Sequence, residues 1–404
     1  MPHGRARGGV GLALAGGGPG GAIYEIGALF ALDEALDGLD LARLSCYVGV
    51  SAGALVAACL ANGMSPELLV RVLDQPVEGE EPFDPALFFS PNYREFARRG
   101  LALPALFAQM IWSLTRGRGE RTALASVGRL ARALPTGLFD NEPIRRYLAS
   151  VLARPGRTDD FRKLDAALVI VATDLASGRP IRFGSPAHSD VSISRAVQAS
   201  TAMPGLYPPV EIDGRNCVDG VLLKTVHASV ALDYGVELLL CVNPIVPVDT
   251  TTGEAEGTLT PGALYAGGLP LVLSQTFRTL VHSRLEIGLA GYVGRYPDAT
   301  VLLFEPPADE YEMFFSNILT LSDRHRMCEL AYAVTREDLR RRADELEPVL
   351  ARHGVRLRRD LLDDRGRTLW GTLAERGAPP TDLAREAQLG AHRRSRKRAR
   401  RKAG

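Results

Sequence analysis

Two short apolar runs, Gly9–Leu14 and residues 44–50, each stop at a glycine-bearing turn and continue into a helical stretch. Nothing else in the chain constrains the fold as strongly. A short run that is apolar throughout and bounded by glycine reads as a strand buried on both faces. Two such strands joined by a helix require a crossover, so they lie parallel in one sheet covered on both sides. The pattern recurs at 166–173, Val236–Val242 and 299–304, while Val210–Ile212 and 216–218 flank Asp213-Gly214, the dipeptide of a tight hairpin. Helical spacing runs from Ile23 to Asp37, across Ala52–Ala61, from a Ser65 cap, from an Asn141 cap to about Ala153, over 269–293 and from Asp309 to Ala351. The expectation is a three-layer α/β/α fold with a mostly parallel central sheet.

Residues 75–140 have a different texture: acidic and proline-flanked at 78–81, then arginine-bearing stretches with helical spacing at 92–99, 103–115 and 121–134. They read as a helical insertion, a lid or an interfacial segment, within a core domain spanning 1–330. A helical extension is expected over 331–375 and a disordered basic tail over 376–404. Eight of the ten residues 393–402 are Arg or Lys, so the net charge of +1 conceals a mildly acidic body. No apolar run reaches the roughly 18–20 residues that span a bilayer. The early Arg5 and Arg7 precede an apolar run that ends in glycines and not in a cleavage site, which argues against a secretion signal. Cys46, Cys59, Cys217, Cys241 and Cys328 are odd in number, widely spaced and mostly set in apolar runs. They read as buried thiols of a cytoplasmic protein, with no metal-ligand spacing and no disulfide framework.

Three segments carry chemistry. Gly49-Val50-Ser51-Ala52-Gly53 fits G-x-S-x-G, in which a tight strand-to-helix turn lifts a serine out of the sheet. The plainer reading is a turn capped by Ser51. Gly16, Gly17, Gly18 and Gly21 lie between the first strand and first helix, where successive backbone N–H groups can form a nest for an oxyanion. Gly16, Gly18 and Gly21 equally satisfy G-x-G-x-x-G for a dinucleotide, but that reading wants an acidic residue where the second strand ends, and Ser51 stands there. Asp219 ends a hairpin strand beside Gly220; spacing alone favours an ordinary Asp-Gly turn. His188, His227 and His282 are the candidate bases of a Ser-His-Asp triad. None lies in a recognisable motif, and each reads as a surface or helix-face residue.

These segments together resemble the patatin-like phospholipases. Residues 12–29 (LALAGGGPGGAIYEIGAL) are similar to the family's glycine-rich oxyanion loop and its helix, 47–58 (YVGVSAGALVAA) to its nucleophile elbow, and 194–222 to the stretch that ends in its Asp-Gly-Gly. Residues 172–183 resemble bacterial members. The resemblance implies a lipid acyl-hydrolase with a Ser51–Asp219 dyad, an oxyanion loop of Gly16, Gly17, Gly18 and Gly21, elbow glycines Gly49 and Gly53, and Gly220 in the dyad loop. It implies no organic cofactor, and nothing here indicates calcium or an activator. The chain departs from the family at Gly20, often Arg or Lys there, and at Val221, which replaces the last glycine of Asp-Gly-Gly. A catalytically weak, lipid-binding protein is therefore the alternative, and a dinucleotide enzyme a more remote one. The partner expected is a lipid or acyl ester. Leu106, Phe107, Met110, Ile111 and Trp112 lie between arginines at 98, 99, 116 and 118. That pattern suits a helix packed as a cap on the core, or one in a headgroup layer. Peripheral contact with an anionic membrane through 101–118 and 393–402 is an expectation; nucleic acid is not an expected partner.

Overall fold

The computed structural model describes residues 9–93, 95–97, 135–257, 259–310 and 320–377. Among them one sheet contains β1 (Gly9–Leu14), β3 (Cys46–Val50), β4 (Ala167–Asp174), β5 (Pro180–Phe183), β6 (Val210–Ile212), β7 (Arg215–Asp219), β8 (Val236–Val242) and β9 (Thr300–Phe304). The hydrogen-bonded pairing runs β6-β7-β4-β3-β1-β8-β9, with β5 also paired to β4. The five strands from β4 to β9 are parallel; β5, β6 and β7 are antiparallel to their neighbours.

Side chains alternate across a strand, and here the alternation sorts the core into two layers. Leu12, Leu14, Leu168, Ile170, Leu238 and Leu240 enter one cluster with helices α1 (Gly18–Ala35), α2 (Ala52–Ala61), α3 (Pro66–Asp74), α4 (Glu142–Leu152) and α5 (Ile193–Ser200). Ala13, Val169, Val171, Leu239 and Cys241 enter the other, with α6 (Ala228–Asp233) and α7 (Gly268–Arg295). The expected three-layer α/β/α fold with a mostly parallel sheet is the one observed.

One detail of the sheet positions the site. At Ala172, β4 pairs with Ile181 of β5 and with Asp219 of β7, so these two lie on opposite edges. At Val171 it pairs with Arg182 of β5 and with Val50 of β3. β3 and β7 therefore share one edge of β4, approach each other head to head, and end side by side at Val50 and Asp219. Both chains must leave the sheet there.

The C-terminal helices complete this core instead of extending it. Helix α8 (Leu321–Arg341) lies along α1, so the boundary expected between 330 and 331 falls inside a helix. A β-carbon on Gly27 would come within 2.3 Å of the Cys328 carbonyl oxygen. Glu34 of α1 is buried with Tyr332, with Arg336 at 3.3 Å and with Arg367 at 2.5 Å. Trp370, fully buried in α10 (Leu369–Glu375), stacks edge-on against His325 at 4.8 Å. Between them lies α9 (Ala343–Ala351).

Other expectations are corrected. Helix α1 stops at Ala35, because Leu36–Asp37 (β2) pairs with Arg356–Leu357 (β10). Asn141 does not cap α4 with its side chain; it exchanges hydrogen bonds with Gln198. The helix expected over 309–351 is two described helices, α8 and α9, with residues 311–319 outside the described set. The acidic stretch at 78–81 is tied to the core by Arg157–Glu80 at 2.6 Å and Arg154–Glu81 at 3.3 Å. The helices expected at 103–115 and 121–134, the interfacial segment 101–118 and the tail 393–402 lie outside the described residues.

Candidate active site

The elbow follows from crowding. A β-carbon at Gly49 would meet the Ala54 Cα at 2.5 Å, and one at Gly53 would meet the Ala15 carbonyl oxygen at 2.2 Å. Only glycine lets α2 start this close to β1 and β3. Ser51 between them has φ 53 and ψ −125, a conformation that a residue with a β-carbon adopts only when its surroundings impose it. Ser51 is 6% exposed at the N-terminus of α2, where the helix dipole favours negative charge. Its N–H donates to Ser200 Oγ at 2.8 Å, and that hydroxyl donates to the Val171 carbonyl at 2.6 Å.

Asp219 lies alongside, fully buried. Its N–H donates to the Ala202 carbonyl at 3.0 Å and its own carbonyl accepts from Thr173 Oγ1 at 3.0 Å, so the backbone is held on both sides. Oδ1 accepts the Val221 N–H at 2.9 Å. Oδ2 has no full hydrogen bond at rest among the described residues. Burial pushes the carboxyl up to about 7, against the opposing pull of the neighbouring Ser51 hydroxyl and the Val221 N–H. Gly220 is required because a β-carbon would strike the Val171 carbonyl oxygen at 2.2 Å, the consequence of β3 and β7 meeting there. Val221 sits in a 3₁₀ turn, Gly220–Leu222, without positive φ. The β-branched residue is therefore accommodated, and its Cγ2 would lie 3.4 Å from a β-carbon on Gly16.

The glycine loop arches over the same point. A β-carbon on Gly16 would approach Ser51 Cβ to 3.0 Å. Gly17 and Gly18 have φ of 135 and 62, open only to glycine in practice. Gly21 differs from its companions: its N–H donates to the Gly17 carbonyl at 3.0 Å and closes the first turn of α1. Among the described residues the N–H groups of Gly16, Gly17, Gly18 and Gly20 make no backbone hydrogen bond, so that of Gly21 is the one in the loop committed to the helix. Gly20 lies within α1, where a basic side chain is absent.

None of the three histidines is hydrogen-bonded to Ser51 among the described residues. His188 packs on Phe183, with ring centroids 6.1 Å apart, and His282 Nε2 lies 3.4 Å from Glu305 Oε1. His227 is not at the surface, as its sequence context suggested, but 4% exposed, with Nε2 3.1 Å from the Gly220 carbonyl. Two further residues carried no motif. Ser200 holds the elbow N–H. Glu25 is fully buried in α1, both carboxyl oxygens lack hydrogen-bond partners among the described residues, and burial pushes it well above the carboxylate range while the Ala15 backbone opposes this. Its only signal was a single charge within an otherwise apolar stretch. The described residues hold no group of three His, Cys, Asp or Glu side chains arranged for a metal. A cavity lined by Asn141, Arg146, Arg195, Gln198 and Glu211 includes neither Ser51 nor Asp219.

A serine held at positive φ between a parallel strand and its following helix defines the nucleophile-elbow class of α/β proteins. Within that class, the chain belongs to the patatin-like phospholipase family: the family's model matches residues 12–232, more than half of the chain, and spans every site residue described above. An uncharacterized NTE family protein of Mycobacterium tuberculosis is 29% identical over 221 residues, which is 55% of this chain and 28% of that protein. The chain thus matches less than a third of that relative's length. VipD of Legionella pneumophila is similar at 17% identity over 83% of this chain and 70% of VipD, with a TM-score of 0.37. ExoU of Pseudomonas aeruginosa, solved in complex with SpcU, aligns at 19% identity over 72% of this chain and 59% of that chain, with a TM-score of 0.26. No described helix is long and apolar enough to cross a membrane.

Proposed function

We propose that this protein is a serine acyl-hydrolase that cleaves carboxylic esters of lipids (phospholipids, lysophospholipids or neutral acyl esters) with Ser51 as nucleophile and Asp219 as base. The observation that carries this reading is the head-to-head ending of β3 and β7 on one edge of β4, which leaves the Ser51 hydroxyl beside a buried carboxyl with an unpartnered oxygen. The family match supports the lipid ester as substrate class. Ser51 Oγ attacks the acyl carbonyl as ionised Asp219 takes the hydroxyl proton. The oxyanion meets the N–H groups of Gly16, Gly17 and Gly18, and the positive end of α2 lies behind the serine. Collapse breaks the ester C–O bond, and the leaving alcohol takes the proton from Asp219. Water, deprotonated by the same carboxylate, then attacks the acyl-serine; the Oγ–C bond breaks, Asp219 returns that proton to Ser51 Oγ, and the fatty acid leaves. Peripheral contact with a lipid surface, through 101–118 and the basic tail, belongs to this reading.

Purified protein would be assayed on a medium-chain p-nitrophenyl ester and on phospholipid vesicles, beside Ser51→Ala and Asp219→Asn. Hydrolysis by the wild type with a loss of about a thousandfold or more in both variants is the expected result. An inert wild type that still binds vesicles would support the lipid-binding alternative. Activity that survives Asp219→Asn would assign the base elsewhere.

A further inference from the structure

Three non-glycine residues among those described have positive φ: Ser51 at the elbow, Asp213 in the hairpin turn, and His227. The first two follow from their motifs. His227, at φ 49 and ψ 34 before α6, has no such reason, and a residue with a β-carbon adopts this left-handed conformation only at a cost. Its backbone carbonyl accepts the Val230 N–H at 2.8 Å, but its side chain makes no capping bond. The imidazole instead lies 3.1 Å from the Gly220 carbonyl oxygen. A carbonyl only accepts, so Nε2 carries the proton. Burial, followed by the cations Lys224 and Arg182, lowers His227 to about 4 against the opposing effect of the Gly220 carbonyl, so the ring is neutral near pH 7.

The carbonyl it grips belongs to the peptide unit joining Gly220 to Val221. The N–H of that same unit donates to Asp219 Oδ1 at 2.9 Å. One planar peptide is therefore held at its oxygen by His227 while its nitrogen holds the carboxylate. Planarity ties the direction of one bond to that of the other, and hydrogen bonds in series strengthen each other in a dry interior. The same carbonyl oxygen also accepts the Leu223 N–H at 3.1 Å, which closes the Gly220–Leu222 turn, so His227 is its side-chain partner beside one backbone donor. Farther along, Arg284 donates to the Leu222 carbonyl at 2.9 Å, and Thr225 Oγ1 to that of Val281 at 3.1 Å.

We propose that His227 is a positioning residue for the base: through the 220–221 peptide it aims the Val221 N–H at Asp219 Oδ1, so that Oδ2 is the oxygen turned to Ser51. This inference rests on the hydrolase reading for its effect on turnover, but not for the geometry it describes.

His227→Gly is the informative variant, because glycine takes the same φ without strain while removing the imidazole. His227→Gln returns an amide donor of similar reach. The readouts are kcat and KM on the p-nitrophenyl ester, the melting temperature, and a 13C-NMR titration of the Asp219 carboxyl, which needs no turnover. The glycine variant is expected to melt within a few degrees of wild type and to lose roughly tenfold to a hundredfold in kcat at similar KM. Its Asp219 titration should move upward, because the carboxylate loses part of a donor that favours its charged form. The glutamine variant should recover most of kcat. Wild-type kcat and an unmoved titration in His227→Gly would overturn the proposal. So would a glutamine variant as impaired as the glycine one, with both melting well below wild type. A wild type inert toward esters, with the Asp219 titration still shifted in His227→Gly, would sink the hydrolase reading and leave the positioning role standing.

Discussion

Asp219 is buried with a single N–H donor and one neighbouring hydroxyl to meet a negative charge, and burial raises its carboxyl to about 7. Asp219 as base must be ionised, so kcat/KM is expected to rise with pH and level off above an acid limb near 7, measured on a soluble ester across pH 5–9. The same burial has a stability consequence of fixed sign. Between the ordinary value of 3.8 and about 7, the folded protein keeps a proton that the unfolded chain has lost. Stability from this group is present below 3.8 and is lost as pH rises through that window. The difference corresponds to about 4 kcal/mol. Asp219→Asn should therefore unfold at higher temperature than wild type, with a gain that grows from pH 4 and levels off above 7, even as activity is lost. Equal melting temperatures at pH 8 would show that the carboxyl is better solvated than its burial implies. Ser200→Ala tests the elbow in the same way: loss of the acceptor for the Ser51 N–H should lower kcat by about tenfold or more and cost about 1–3 kcal/mol on chemical denaturation.

Among the elements, α1 has two dependencies. Its N-terminus carries the glycine loop, and its flank docks on α8. Alanine at Gly27 would gain roughly 1 kcal/mol in helix propensity, but its methyl would come within 2.3 Å of the Cys328 carbonyl oxygen, a backbone atom that moves only if the helices separate. Overpacking of this kind costs about 1–3 kcal/mol or more and wins. Gly27→Ala is expected to lower the denaturation midpoint; an unchanged midpoint would mean that α1 and α8 are less closely docked than described.

At the scale of the whole molecule, the C-terminal helices belong to the core. The ion pairs of Glu34 with Arg336 and Arg367 and the β2–β10 pairing join residues about 300 positions apart. Ending the chain at 330 would cut α8, leave Glu34 buried without its arginines, and expose the flank of α1. An unpaired buried charge alone costs about 3–5 kcal/mol. Such a chain is expected to lose its cooperative thermal transition and to be degraded by dilute protease. A sharp transition near the wild-type temperature would show 331–375 to be dispensable.

Much of this architecture follows from local rules. Apolar runs bounded by glycine identify the buried strands, Asp213-Gly214 places the hairpin, and the spacing Gly49-Ser51-Gly53 specifies the elbow, because crowding by near neighbours is a local effect. Asp219 was visible locally only as an Asp-Gly pair, and its pairing with Ser51 was implied by the family resemblance and not by spacing, since it depends on β3 and β7 ending on the same edge of β4 although Val50 and Arg215 are 165 positions apart. Three features could only come from tertiary structure. They are the burial of Glu25, the turning inward of His227 and the docking of α8 across a boundary drawn by composition. Each depends on which distant atoms occupy the space around a group, and that is a property of chains packed together, not of residue order along one chain.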